Sequence, residues 1–272
     1  IGMATMLARR GRESFVLLER ADAVGGTWHA NTYPGIACDI PAHLYSYSFR
    51  PPADWESVYP SGGQIRRYLE RTVADEGLSP ALHLRCEVRS ATWTGSDGRW
   101  DLDTVDGVIR ARVLIMAVGR LSEPRIPRID GLDTFSGEVM HTAAWRHDVE
   151  LDGARIGVVG TGASAIQVIP HLAERAEELV VFCRTPPYVV PREDRRYSDD
   201  ERRAMRDAAT ASAMRAELLA AADNAFRQRL GLHPDIDRIR ERALGHLHRQ
   251  VHDPHRRELL TPDYEIGCKR IL

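Results

Sequence analysis

The chain has 272 residues, 43% of them apolar and 28% charged, with a formal net charge of −2 at neutral pH. That length accommodates two domains with sizeable cores, and the balanced charge argues against a nucleic-acid binder. No apolar run approaches the ~20 residues that span a bilayer, so no membrane partner is expected.

Cys38, Cys86, Cys183 and Cys268 are widely spaced, with no Cys-x-x-Cys pair, and the amino terminus lacks a basic-then-apolar leader. Both features read as a cytoplasmic protein with reduced thiols. Ile1–Arg10 reads as the tail of an apolar-faced helix closed by Gly11, and Phe15-Val16-Leu17-Leu18 as a short buried strand ending in Glu19. A helix followed by such a strand is the second half of a βαβ dinucleotide unit. The first strand and its glycine-rich turn belong immediately before Ile1, so the chain is expected to be a fragment.

Residues 61–77 predict a helix, with Ile65, Tyr68, Leu69 and Val73 at helical spacing. Two short strands are expected around Asp97-Gly98 and Asp106-Gly107, both suited to hairpin turns. Val113–Gly119, fully apolar and ended by glycine, fits a central strand of a parallel sheet, and the proline-rich Ser122–Pro127 an exit from it. A second βαβ unit opens at Arg155–Val159, turns through Gly160–Gly162, continues as a helix to about Leu172 and returns as the strand Leu179–Cys183. From Ser198 to about His255 the chain is rich in Ala, Arg, Glu and Leu and reads as a helical insertion. The predicted fold is α/β, with two Rossmann-like dinucleotide-binding domains. An incomplete first domain would cover 1–145, and a second, 146–272, would carry a helical insertion at about 198–258.

Gly160-x-Gly162-x-x-Ala165 sits between a predicted strand and a predicted helix, where glycines let the backbone approach a pyrophosphate and the helix start offers free N–H groups. About twenty residues further on, the second strand should end in the residue that reads the ribose. Arg184 stands there, followed by Thr185, and a guanidinium pairs with a phosphate, so NADP(H) is expected rather than NAD(H). No Walker-type Gly-x-x-x-x-Gly-Lys is present, and Gly162-x-Ser164-x-Ile166 fails the hydrolase elbow. His246, His248, His252 and His255 lack metal-ligand spacing, so no metal is expected.

Three further segments carry a family resemblance. They are Gly25-Gly26-x-Trp28 through Tyr33-Pro34-Gly35 to Asp39, then Phe135-x-Gly137-x-x-x-His141-x-x-x-Trp145, then Thr261-Pro262-Asp263-Tyr264 leading to Gly267-Cys268-Lys269-Arg270. Together they resemble the type I Baeyer–Villiger monooxygenases of the flavin-containing monooxygenase superfamily. Trp145 favours that branch over the N- and S-oxygenating relatives, while Arg146 replaces the family's usual Pro or Asp.

The resemblance implies FAD and NADPH as cofactors. It places Glu19 at the ribose of FAD and Gly26, Thr27, Trp28 and Asp39 in the flavin motif, with Tyr45 also cofactor-binding. Gly160, Thr161, Gly162, Ala163, Ser164, Gln167, Arg184, Thr185 and Lys269 would bind cofactor from the second domain, with Lys269 at the 2′-phosphate. The implied reaction reduces FAD with NADPH, forms a C4a-peroxyflavin from O₂, and converts a ketone or aldehyde to an ester or lactone. Arg270 would be catalytic, stabilising the anions of that reaction, and Asp39 would hold its guanidinium. His141 reads as a linker histidine bonded to backbone or as an interdomain positioning group. The alternatives are an N- or S-oxygenating flavin monooxygenase, or an inactive NADP(H)-binding fragment truncated at both ends.

Overall fold

The computed structural model describes residues 1–51, 54–121, 123–229 and 236–272. Ser122 of the expected sheet exit and residues 230–235 of the expected insertion lie outside the described residues. The chain forms two compact units, Ile1–Thr32 with Gly62–Trp145, and Tyr33–Ser61 with Arg146–Leu272. The expected first domain, 1–145, differs from the first unit by residues 33–61, which pack within the second.

In the first unit, α1 (Gly2–Ala8) ends in a Schellman turn. The Gly11 N–H donates to Ala8 O at 2.9 Å and the Arg12 N–H to Leu7 O at 3.0 Å, with Gly11 at φ +67°. β1 (Leu17–Leu18) is followed by the short α2 (Thr27–Ala30) and by α3 (Gly62–Asp75), whose Ile65, Tyr68, Thr72 and Val73 are buried. β2 (Leu82–His83) pairs in parallel with β1. Ala4, Val73 and Leu78 form a core against which Ile1, Phe15, Leu17, Val24 and Leu82 pack. Arg9 forks onto Glu76 at 2.6 and 2.9 Å and fastens the end of α1 to the end of α3.

β3 (Val88–Thr94), β4 (Arg99–Thr104) and β5 (Gly107–Ala111) make an antiparallel three-stranded sheet. Its hairpins turn at Gly98 and Gly107, with φ +59° and +116°. The expected two strands are therefore three. Trp93 and Trp100 face each other across β3 and β4 with ring centroids 5.5 Å apart.

Val113–Gly119 does not form the expected central strand. Val113, Met116 and Val118 are 72%, 73% and 69% exposed. A parallel strand exists only through ladder bonds to its neighbours, and no described strand pairs with this run.

The second unit contains a βαβ turn, with β6 (Arg155–Val159), α4 (Ala163–Ala173) and β7 (Glu178–Phe182). The strands run parallel, from Arg155 opposite Glu178 to Val159 opposite Phe182. Ala165, Val168 and Leu172 give α4 its buried face. The helices α5 (Asp199–Ala204), α6 (Ala208–Arg229), α7 (Ile236–Gln250) and α8 (Pro254–Leu260) follow. A capping box of Ser198 and Glu201 opens α5. The Arg195 guanidinium, and then the Ser198 N–H, hold the Glu201 carboxyl down at about 2.

Residues 33–61 thread through this unit. The Tyr33 hydroxyl donates to Gln167 Oε1 at 2.9 Å, and Gln167 Nε2 donates to Ala37 O at 2.9 Å. Between them Gly35 has φ +80°, and a Cβ there would lie 2.5 Å from the Gln167 carbonyl oxygen and 2.6 Å from the His171 ring. Arg215 of α6 donates through Nη1 to His43 O at 2.7 Å and Ser46 O at 3.0 Å. The Val58 N–H bonds Arg195 O and the Tyr197 N–H bonds Glu56 O, at 3.0 and 2.9 Å.

Gly35→Ala should cost about 3 kcal/mol, combining a left-handed backbone with a backbone clash. Gly11→Ala, where a Cβ would meet nothing within 4 Å, should cost only about 1 kcal/mol. Urea denaturation of the two variants checks this, and equal losses would remove the close-approach argument.

His43 is only 2% exposed, and neither ring nitrogen has a hydrogen-bond partner. Its ring packs edge-on to Tyr197 at 5.5 Å, and burial lowers its pKa. The unfolded chain, with an ordinary histidine pKa of about 6.5, binds the proton more readily. The stabilising contribution is therefore complete above about pH 6.5 and declines as pH falls through the lower folded-state value. A urea midpoint that drops between pH 7.5 and 5.5 in the parent, and drops less in His43→Phe, is the expected result.

Candidate functional site

The turn between β6 and α4 has the features of an anion cradle. Gly160 has φ +110° and open space where a Cβ would be, and its N–H donates to Phe182 O at 3.0 Å, tying the turn to the end of β7. Gly162, the N-cap of α4, has no side chain with which to cap the helix start. The first N–H groups of α4, an 11-residue helix, thus carry partial positive charge toward the turn.

Thr161 and Cys183 bring the turn and the strand end together, with Cys183 Sγ 3.8 Å from Thr161 Oγ1. Arg184 follows, exposed, with no hydrogen bond or ion pair to any described residue, and Thr185 is half-buried beside it. A guanidinium without an internal partner, one residue beyond that contact, suits a phosphate ester.

Ser164 and Gln167, also expected to bind cofactor, have partners within the chain. Tyr33 Oη lies 3.3 Å from Ser164 Oγ and bonds Gln167, whose amide clasps both polar groups of Ala37. The sequence pointed to the Tyr-Pro-Gly triplet but not to this docking on α4.

Asp39 and Arg270, singled out on separate motifs, form an ion pair within the second unit. Cys38 beside them is 2% exposed, and burial pushes its thiol pKa up. Tyr45 is 40% exposed on the segment that Arg215 fastens. Lys269 is exposed, with Nζ 4.5 Å from the centroid of the Tyr264 ring. Arg215 gave no signal in sequence, being one arginine among many in a helical stretch.

In the first unit, Glu19 accepts from the Ala21 N–H at 2.9 Å through Oε1. Gly25 and Gly26, at φ +130° and +52°, lead into α2, where Thr27 is exposed and Trp28 half-buried. His141 Nδ1 accepts from the Ala143 N–H at 3.0 Å, capping a single 3₁₀ turn, so this histidine is bonded to backbone. A Cβ at Gly137 would lie 2.6 Å from the ring of Phe135, an exposed side chain with room to swing aside. Trp145 is half-buried. In the second unit Arg146 bonds Asp148 at 2.9 Å and pulls that carboxyl below its ordinary range.

Among the described residues no group of three or more His, Cys, Asp or Glu side chains could hold a metal ion, and no helix is long and apolar enough to cross a membrane.

The profile of the pyridine nucleotide-disulphide oxidoreductases matches residues 1–200. A Baeyer–Villiger monooxygenase of Streptomyces coelicolor is 44% identical over 276 residues, covering 100% of this chain and 53% of the relative. One of Pseudomonas aeruginosa is 38% identical over 277 residues, covering 100% and 52%. The structure of an oxidized steroid monooxygenase bound to NADP matches with a TM-score of 0.84 at 32% identity, covering 100% of this chain and 60% of that one. Cyclohexanone monooxygenase bound to ε-caprolactone matches with a TM-score of 0.84 at 30% identity, covering 99% and 60%. The chain spans about half the length of the curated relatives it matches. With its α/β architecture and glycine-rich βαβ turn, the chain belongs to the pyridine nucleotide-disulphide oxidoreductase family, on the branch of the Baeyer–Villiger monooxygenases.

Proposed function

We propose that this chain is part of a cytoplasmic, FAD- and NADPH-dependent monooxygenase that inserts one atom of O₂ beside a ketone or aldehyde carbonyl, giving an ester or lactone. The observation that carries the reading is the Asp39–Arg270 ion pair. It joins the aspartate of the glycine-tryptophan motif to the arginine of the Cys-Lys-Arg motif. The four free cysteines suit a reducing compartment.

The residues present fit both cofactors. An uncapped helix start beside Gly160 and Gly162 suits a pyrophosphate, and the unpaired Arg184, with Thr185 and Lys269, suits a 2′-phosphate. Glu19 spends one carboxylate oxygen on the Ala21 N–H, which orients the group while leaving its other oxygen to accept from a ribose hydroxyl. When bound, NADPH supplies the hydride and FAD supplies the activation of O₂.

Arg270 contributes the positive charge of a guanidinium, a donor with no acceptor atom. Its task is to stabilise the negative charge that builds on a carbonyl oxygen under attack, without giving up a proton. Asp39 fixes the guanidinium and offsets part of its charge, so the long arginine stem keeps one orientation. Tyr33, Gly35 and Gln167 anchor the Asp39 segment to α4, the same helix whose start forms the nucleotide cradle.

In the full-length protein, Arg270→Ala should lower ester or lactone formation by at least ~100-fold, as loss of one oxyanion-stabilising donor does elsewhere. Reduction of FAD by NADPH should persist in that variant, read by loss of flavin absorbance under anaerobic mixing. Ester formation at the parent rate would remove the role of Arg270. A sulfoxide or N-oxide as the principal product of the parent would replace the whole reading.

A further inference from the structure

We propose that Tyr264 is a positioning residue that holds the Lys269 ammonium for the 2′-phosphate of NADP(H), and so contributes to the preference for NADP(H) over NAD(H). This rests on the reading above, in which Lys269 faces that phosphate. The Lys269 ammonium lies 4.5 Å from the centroid of the Tyr264 ring, within cation–π range. It has no hydrogen bond or ion pair to any described residue, so the ring face is what restrains an otherwise flexible stem.

Tyr264 is itself held from behind. Its ring meets Tyr188 edge-on, with centroids 5.4 Å apart and planes at 77°, and the Tyr188 hydroxyl donates to Tyr264 O at 2.9 Å. Tyr188 is 2% exposed and forms a core with Ala243 and Ile266. The Leu272 N–H donates to Tyr188 O at 2.9 Å and the Val190 N–H to Leu272 O at 2.8 Å. The segment that carries Lys269 is therefore laced to the segment that follows Arg184. Both cations proposed for the phosphate stand on strands of chain joined through Tyr188.

Composition sharpens the point. Lys269 is the single lysine of the sequence, the other 36 of its 37 Lys and Arg side chains being arginine. A compact ammonium concentrates its charge at one atom, where a guanidinium spreads it over a plane. The Tyr264 hydroxyl is buried without a hydrogen-bond partner, so the ring face, not the hydroxyl, is the part that acts on Lys269.

The test is nucleotide binding by the full-length protein, titrated with NADP⁺, NAD⁺, 2′,5′-ADP and 5′-AMP. Tyr264→Leu should weaken NADP⁺ and 2′,5′-ADP roughly two- to fivefold, as loss of an exposed cation–π contact predicts, and leave NAD⁺ and 5′-AMP unchanged. Tyr264→Phe, which keeps the ring, should bind like the parent. In a Lys269→Met background, Tyr264→Leu should add no further loss.

Reductive methylation with ¹³C-formaldehyde keeps the charge, and the Lys269 methyl resonance is identified by its loss in Lys269→Met. That resonance should be ring-current shifted in the parent and in Tyr264→Phe, and unshifted in Tyr264→Leu. Equal weakening of all four ligands by Tyr264→Leu, or a loss of selectivity in Tyr264→Phe as large as in Tyr264→Leu, would overturn the positioning role. Lys269→Met with an unchanged ratio of NADP⁺ to NAD⁺ affinity would overturn the reading of Lys269 and this proposal with it. A ratio that collapses in Lys269→Met but survives in Tyr264→Leu would overturn the proposal alone.

Discussion

Gly35 lies so close to α4 that its missing side chain decides the layout of the second unit. Only a bare Cα can approach the Gln167 carbonyl and the His171 ring at that distance. Once it does, the Gln167 amide closes on Tyr33 from one side and on the Ala37 backbone from the other. A loop with no regular hydrogen-bond ladder of its own thereby gains fixed partners for its polar groups. Everything after it on that segment, from Asp39 to the 56–58 pairing with 195–197, inherits this register. In a nucleotide-binding protein a glycine is readily read as making room for a phosphate. Here it makes room for another part of the chain.

The charged groups divide by what surrounds them. Ion pairs such as Arg155–Glu178 are solvent-exposed and contribute little to stability. Arg215 is different in kind, since its guanidinium is spent on backbone carbonyls of residues 43 and 46 rather than on a carboxylate. The Asp39–Arg270 pair is also partly exposed, with side chains 40% and 57% accessible. Its value lies in orientation, not in folding energy. Among the described residues Arg184 and Lys269 have no carboxylate partner, which agrees with the role proposed for them at an anionic ligand.

Legibility in the sequence followed the range of the physics. The helix at 62–75 and the β6–α4–β7 turn were legible because periodicity, glycines and strand character all act within a few residues. The hairpins at Gly98 and Gly107 announced themselves through turn chemistry, although the third strand did not. Val113–Gly119 was misread because apolar character marks a segment that wants ladder partners without supplying them. The affiliation of residues 33–61 was hidden for a related reason, since it depends on Gln167 and Arg215, far along the chain and undistinguished in sequence. Asp39 and Arg270 were reached through family resemblance, and no spacing rule would have joined them.

The apolar run from Val113 to Val118 has a consequence for how the chain behaves in bulk. It is uncharged, rich in β-branched side chains, without proline, and largely open to solvent. Such a segment is a template for pairing between identical copies. Arg110, Arg112 and Arg120 bracket it, and flanking like charges of this kind act as gatekeepers by repelling a second copy in register. Colloidal stability in solutions of these 272 residues then becomes a matter of ionic strength, because added salt weakens the guanidinium repulsion while strengthening apolar association.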